Sequence, residues 1–418
     1  LSRSRFWGIP LPIWRTEDGA EAKCIGSVGE IKQEIEKSVA AGLMSVNPFE
    51  AFDAENMSAE NYAKFDLHKP YADDIILVAS DGRPMKRELD LIDVWFDSGA
   101  MPFAQWHYPF ENQDIFKQSY PADFISEGVD QTRGWFFTLH AISSMVEDSV
   151  AFKNVVSTGL VLDKNGNKMS KRLGNAVDPF ETLAKYGPDA TRWYMITNAD
   201  PWDNLKFDVK GIEEVQRTFF GTLSNTYSFF ALYANIDAYQ PSELDPAVHE
   251  RSELDKWILS KLNALTLEVE KYLNDFDPTP AGRAIEEFVD AHLSNWYVRL
   301  ARKRFWHGEL TSDKRAAYAT LHACLKQIAQ LMSPYAPFYA DWLYQSLNGN
   351  NQSVHLSLLQ HLEFRDTELE TKMDLAQRIS SMALSIRKKE NIRVRQPLAE
   401  IRIPVLDNQI RTYIGNVA

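Results

Sequence analysis

Between Val155 and Tyr194 the chain reads VVSTGLVLDKNGNKMSKRLGNAVDPFETLAKYGPDATRWY, and the order of signals there leaves few folds open. Val155, Val156, Leu160, Val161 and Leu162 predict buried strand, and Asn165-Gly166 predicts a tight turn. Asp178-Pro179-Phe180-Glu181 predicts a helix start: an Asp cap, Pro at the first helical position, and Glu three residues after the cap. Between turn and helix stand Lys168, Met169, Ser170, Lys171 and Arg172, three cations and a hydroxyl in five residues. An arbitrary Lys/Arg cluster reads as a solvated loop. Pinned between a buried strand and a capped helix, it suits a polyphosphate, because lysines act as point charges on phosphoryl oxygens.

The pentapeptide Lys168–Arg172 resembles the KMSKS signature of class I aminoacyl-tRNA synthetases, with Arg172 in place of the final serine. The flanking residues are similar to the isoleucyl branch over a far longer stretch than the signature itself. The resemblance implies that Lys168 and Lys171 stabilise the pyrophosphate of ATP, with Met169, Ser170 and Arg172 completing the ATP-binding loop. Mg²⁺ is expected to arrive with ATP, and no protein-bound metal is expected.

The composition excludes several classes. The chain has 418 residues, 44% hydrophobic and 25% charged, as in ordinary globular proteins of two to four domains. Its net charge of -13 gives no global attraction for nucleic acid, so an RNA contact needs local basic patches. Cys24 and Cys324 make neither a disulfide framework nor a zinc site, which fits a reducing cytoplasm. No apolar run is long enough to span a bilayer, and a monomer is expected. The chain does not begin with Met, and it reads as a fragment.

Residues 3–14 (RSRFWGIPLPIW) predict a loop-to-strand segment, with Arg3 and Arg5 open to anions and Trp7 and Trp14 packed. The segment resembles the place where the family's catalytic domain resumes after its editing domain. Residues 29–42 predict an amphipathic helix with Ile31, Ile35 and Val39 inward and Gly42 as the stop. His68 reads as a structural or capping residue. Asp93–Gly99 (DVWFDSG) predicts an alternating strand, on which Asp93 and Asp97 lie too far apart to share one ion. By resemblance, Trp95 walls the amino-acid pocket; by composition, it is equally a core residue.

In DFISEGVDQTRGWFFTLHAISSM, Phe124 and Ile125 are expected to end a strand, Glu127–Asp130 to form a polar turn, and a helix to carry Trp135 onward. Asp130 suits a helix N-cap, which alone explains it. The turn also sits where open α/β sheets bind ligands, so Glu127 and Asp130 are placed to accept hydrogen bonds from an ammonium or a ribose. Gln131 and Trp135 are expected on one helical face, one polar wall and one apolar. The motif resembles the isoleucyl family's adenylate site and differs from the valyl and leucyl strings at that place, although either remains an alternative. A non-catalytic tRNA-binding module and a generic nucleotide-binding protein with a chance KMSKR are the others.

After Pro201 the periodicity becomes helical and strands are expected to vanish, with helix breaks at the Pro clusters 277–280 and 333–337. Trp296, Arg299, Arg302, Lys303 and Arg304 in SNWYVRLARKRFW read either as a helix with snorkelling cations or as a surface for phosphates and unstacked bases. Arg387, Lys388 and Arg393 form a second basic run, and both runs resemble the family's tRNA-binding region. A short β segment is expected after Pro397.

The expected architecture is therefore α/β, then all-α. Residues 1–203 form the second half of a Rossmann-type class I catalytic domain, 204–397 a helical-bundle anticodon-binding domain, and 398–418 the start of a further segment. The resemblance implies partners isoleucine, ATP and tRNA(Ile). None of the nine histidines falls in a His-x-Gly-His spacing, so the 418 residues alone are expected to be inactive.

Overall fold

A computed structural model of the chain describes residues 8–306, 308–405, 411 and 413. It divides into two compact units, Leu1–Thr158 and Gly159–Ala418. Arg3, Arg5 and Trp7 lie outside the described residues.

In the first unit an antiparallel sheet has the order β2-β1-β4-β3, built from β1 (Ile13–Thr16), β2 (Ala22–Cys24), β3 (Ile76–Val78) and β4 (Pro84–Arg87). Its registers pair Trp14 with both Lys23 and Arg87. Trp14 is buried as expected, and its indole donates to the Ile75 carbonyl at 2.9 Å. The helix Val28–Ala40 covers this sheet, capped by Ser27, with Ile31 and Ile35 inward and Gly42 in the left-handed region behind it. His68 is exposed and its Nδ1 meets Asp66 at 2.8 Å, a local structural role.

The rest of this unit is a strand–helix–strand crossover. β5 (Ile125–Gly128) pairs in parallel with β6 (Val155–Thr158), and the helix Trp135–Glu147 runs between them. β5 begins at Ile125 rather than ending there, so Glu127 and Gly128 belong to the strand. Segment Val94–Gly99 is helical, not extended; Asp93 caps it by accepting from the Trp95 amide at 2.8 Å. The Asp cap outweighs the apolar–polar alternation that suggested a strand. The strand residues are also less covered than predicted, with Val155 and Val161 both more than 40% exposed. A parallel strand is buried when sheet and helices flank it on all sides. Among the described residues β5 and β6 pair only with each other, and the strand that carries Val161 likewise has a single partner.

The second unit opens with β7 (Val161–Leu162), paired in parallel with β8 (Leu205–Lys206). Strands thus persist slightly beyond the point where the periodicity turns helical. A bundle follows, with long helices Glu253–Asn274, Ser312–Met332 and Pro337–Asn348 around a core that includes Trp257, Leu262, Leu321 and Ile328. Helices begin at Pro278 and Pro337, as the Pro clusters predict. Phe288–Val298 winds as a π-helix between Pro278–Glu287 and Arg299–Trp306. Residues 398–405 form no strand, and most of the remainder of the expected β segment lies outside the described residues.

Helix Pro188–Asn198 joins the α/β elements of this unit to the bundle. Its last carbonyls have no partners within the helix. Thr279 Oγ1 donates to the carbonyls of Ile196 (2.6 Å) and Ala199 (3.1 Å), and Arg283 to those of Thr197 (2.8 Å) and Asn198 (3.3 Å). In return Arg192 donates to the Tyr335 and Pro334 carbonyls, both at 3.0 Å, and Asp189 accepts from the Tyr339 amide at 2.6 Å. Gly282 permits this approach: a Cβ there would sit 2.6 Å from Thr197 Cγ2. Trp193, fully buried, stacks on Phe219 with centroids 4.2 Å apart.

Asp255 is wholly buried in the bundle and is satisfied four ways. Arg304 engages it bidentately at 2.9 and 2.8 Å, Tyr297 donates at 2.6 Å and Ser252 at 2.7 Å. Burial alone would raise its pKa, but Arg304, Tyr297 and Ser252 outweigh burial and hold the carboxyl below its ordinary range. Removing one partner from such a pair strands the other charge. Arg304→Met is therefore expected to destabilise the bundle by roughly 3–5 kcal/mol, whereas the exposed Lys303→Met should stay within about 0.5 kcal/mol of wild type. Denaturant unfolding followed by far-UV circular dichroism measures both; equal effects would contradict the assignment.

Candidate nucleotide and amino-acid sites

The cationic loop grows from a hairpin. Asp163 and Asn167 close the turn, with the Asp163 amide donating to the Asn167 carbonyl at 2.8 Å and the Gly166 amide to the Asp163 carbonyl at 2.9 Å. Gly166 has φ +87°, a conformation that favours glycine. Asp163 Oδ1 accepts from the amides of Asn165 (2.9 Å) and Asn167 (2.8 Å), an Asx arrangement that fixes the turn. Lys168 bridges back to Leu162 as an isolated antiparallel pair.

Ser170 then caps a single 3₁₀ turn, Lys171–Leu173, by accepting from the Leu173 amide at 3.2 Å. Met169 is the loop's apolar root, packed against a cluster that contains Tyr194, Leu205, Phe207 and Ile212. Lys168, Lys171 and Arg172 are exposed, and none forms an ion pair with a carboxylate among the described residues. Asp178 caps the next helix as predicted, accepting from Phe180 (2.8 Å) and Glu181 (3.1 Å).

Asn175 is a participant the sequence reading missed. Its Oδ1 accepts from the Ser170 amide at 2.9 Å, and its Nδ2 donates to Asp163 Oδ2 at 3.0 Å and to the Lys168 carbonyl at 3.3 Å. The Asn175 bond, together with the Asn167 and Asn165 amides, lowers the Asp163 pKa to about 2.

In the first unit, Glu127, Asp130, Gln131 and Trp135 are brought together at the end of β5, with Trp95 alongside. Asp130 is not the N-cap of the following helix, because a 3₁₀ turn, Val129–Arg133, intervenes. The N-cap position falls on Gly134, which has no side chain to offer, and Gln131 supplies the acceptor from within the 3₁₀ turn: its Oε1 accepts from the Trp135 amide at 3.0 Å, while its Nε2 donates to Asp130 Oδ2 at 3.0 Å. The glycines at 128 and 134 make room. An added Cβ would lie 2.6 Å from Asp130 Oδ1 at the first and 2.6 Å from Gln131 Oε1 at the second. The same Gly134 position is 3.3 Å from Trp95 Cη2, which sets the Trp95 ring against this turn. The Trp135 indole donates to the Ser98 carbonyl at 3.1 Å and ties the two helices together. Glu127 and Asp130 remain exposed. Asp97 has a buried oxygen without a hydrogen-bond partner, and burial, with Asp93 adding to it, pushes its carboxyl up.

The two basic runs divide by role. Arg304 is committed to Asp255 and Asp313, so it is a structural cation rather than a surface one. Trp296 is half-buried, its indole meeting Met373 Sδ at 3.2 Å, and its ring packs against the core instead of standing free. Arg387 donates to the carbonyls of Arg393 (2.9 Å) and Gln396 (2.8 Å), which holds the turn after its helix. Arg299, Arg302, Lys303, Lys388 and Arg393 are exposed and outside any ion pair among the described residues. Among the same residues there is no group of three or more His, Cys, Asp or Glu placed to hold a metal, and no helix long and apolar enough to cross a membrane.

Residues 1–208 match the family model of class I tRNA synthetases (I, L, M and V), and residues 255–403 match that of the anticodon-binding domain of tRNA ligases. The isoleucine–tRNA ligase of Bacteroides fragilis is 62% identical over the whole of this chain, which spans 38% of that protein. The corresponding ligase of Porphyromonas gingivalis is 60% identical, with the chain spanning 37% of it. A structure of the Agrobacterium radiobacter K84 LeuRS, in a ternary complex with tRNA and LeuAMS, superposes with a TM-score of 0.60 at 18% identity. It covers 88% of this chain and 42% of its own.

Two outcomes test the local geometry. Gln131→Ala removes the cap and should loosen the first turn of Trp135–Glu147 by roughly 0.5–2 kcal/mol, read as faster amide exchange at Trp135; unchanged exchange would remove Gln131 from that role. Asp163 has a depressed pKa, so its contribution is full above the ordinary carboxylate value of about 4. It is lost as pH falls through about 2. The Asn165 and Asn167 amides should therefore stay protected at pH 3.5, and a loss between pH 5 and 4 would contradict the network.

Proposed function

This chain belongs to the class I tRNA synthetases, and from that premise we propose that the longer protein activates isoleucine with ATP and transfers it to tRNA(Ile). The observation that carries this reading is the cationic loop: exposed, free of carboxylate partners, and fixed at its root by a hairpin on one side and a capped helix on the other. Lys168 and Lys171, with Ser170 and Arg172, face the pyrophosphate as charge develops on it, and Mg²⁺ comes with the nucleotide. Catalysis is electrostatic, and no covalent enzyme intermediate is needed. Arg172 supplies a planar donor fork where the signature has serine.

Glu127, Asp130 and Gln131 offer acceptors to an ammonium or a ribose, and Trp95 and Trp135 supply apolar walls. Residues 1–203 act as the second half of the catalytic domain, 204–397 as the anticodon-binding domain, and 398 onward as the start of a further segment. Arg299, Arg302, Lys303, Lys388 and Arg393 are exposed cations able to meet RNA phosphates. The protein works as a cytoplasmic monomer.

The test is isoleucine-dependent ATP–pyrophosphate exchange by the full-length protein, with valine and leucine as competitors. Lys168→Ala and Lys171→Ala should each lower kcat by roughly 10²–10³-fold with little change in KM for isoleucine. The 418 residues alone should show no exchange. Full activity in both variants, or preference for valine or leucine, would sink this reading.

A further inference from the structure

Asn175 has a geometry that sequence motifs alone do not explain. A side-chain amide has one acceptor end and one donor end, and here both are used on the same loop. The backbone amide of Ser170 needs an acceptor, and Asn175 Oδ1 lies 2.9 Å from it. The Lys168 carbonyl and the Asp163 carboxylate need donors, and Asn175 Nδ2 lies 3.3 and 3.0 Å from them. The opposite amide orientation would set oxygen against a carbonyl and a carboxylate, so the three contacts fix the side chain mutually. Asp163 completes the device: one of its oxygens holds the Asn165 and Asn167 amides, and the other holds Asn175. One carboxylate therefore connects the hairpin turn before the cations to the residue after them.

We infer that Asn175, braced by Asp163, is a positioning residue that sets the backbone from which Lys168, Ser170 and Lys171 reach the phosphates. This rests on the reading of that loop as the pyrophosphate site. Lys168 and Lys171 are long, exposed and outside any ion pair among the described residues, so their side chains carry rotamer freedom that any phosphate contact must overcome. Fixing their backbone removes the remaining freedom in advance, as positioning effects require. The Ser170 hydroxyl already caps the 3₁₀ turn that bears Lys171 and Arg172, so the Ser170 amide is the point from which that turn is aimed.

The experiment pairs kinetics with amide exchange. In the full-length protein, Asn175→Ala should lower kcat/KM for ATP about tenfold, with KM for isoleucine and the melting temperature unchanged. Asn175→Asp keeps the acceptor but loses both donor contacts and faces Asp163 with a like charge, so it should be at least as impaired. The double variant Asp163→Asn, Asn175→Asp exchanges donor and acceptor between the two positions; it restores that contact but not the bond to the Lys168 carbonyl, so it should recover part of that loss.

In the 418-residue chain, Asn175→Ala should accelerate amide exchange at Ser170 about tenfold without altering the far-UV spectrum. Wild-type kinetics in the single variants overturn the inference. Equal losses toward ATP and isoleucine with a lowered melting temperature, and no recovery in the double variant, overturn it too, leaving a structural role only. If the full-length wild type does not perform the exchange reaction, the functional reading fails, and the Ser170 amide still decides whether Asn175 holds the loop.

Discussion

The second unit depends on satisfying the carboxyl end of one helix. Pro188–Asn198 finishes with carbonyls that no helical amide can reach. Thr279 and Arg283 supply the missing donors from the bundle. Because Arg192 and Asp189 reach the other way, onto the Pro334–Tyr339 segment, the docking is reciprocal. Polar bonds set its register, and the stacked Trp193–Phe219 pair supplies apolar burial. The same helix contributes Tyr194 to the cluster on which Met169 rests, so the root of the cationic loop shares its support with the bundle contact.

Three of the fates that cations of this acidic chain meet cannot be separated by composition. Arg304 is desolvated and neutralised by Asp255, where its loss leaves a buried charge. Arg387 spends its guanidinium on the carbonyls of the turn that follows its helix. Lys168, Lys171 and Arg172 stay in solvent, with no carboxylate paired to them among the described residues. That third condition is the one compatible with an anionic ligand, because a charge already paired must break its pair before it can bind another.

Local chemistry was the legible part. The Asp178 cap, the Asn165-Gly166 turn, the amphipathic Val28–Ala40 helix and the Pro-initiated bundle helices follow from residue type and spacing. Asp93–Gly99 misled because its alternation imitates a strand while its first residue caps a helix. Asp130 misled because a 3₁₀ turn separates it from the helix, and Gln131, one residue on, is what accepts from the Trp135 amide. Arg304 and Trp296 could not be assigned from sequence, since their partners Asp255 and Met373 lie 49 and 77 positions away. Asn175 left a faint signal: an Asp-x-Asn-Gly turn implies an Asx carboxylate, but not which distant amide occupies its second oxygen.

The seam in composition near Pro201 has a practical meaning for anyone dissecting the chain. Gly159 donates to the Pro201 carbonyl at 2.8 Å, Leu160 to Asn204 Oδ1 at 2.9 Å, and β8 returns to lie beside β7. A cut there would pass through a stitched region, not a hinge. The upstream piece would keep helix Pro188–Asn198 with its terminal carbonyls bare, and the downstream piece would keep Thr279 and Arg283 with nothing to cap. Limited proteolysis should accordingly spare this stretch, even though the change from mixed to helical periodicity makes it look like the natural place to divide the protein.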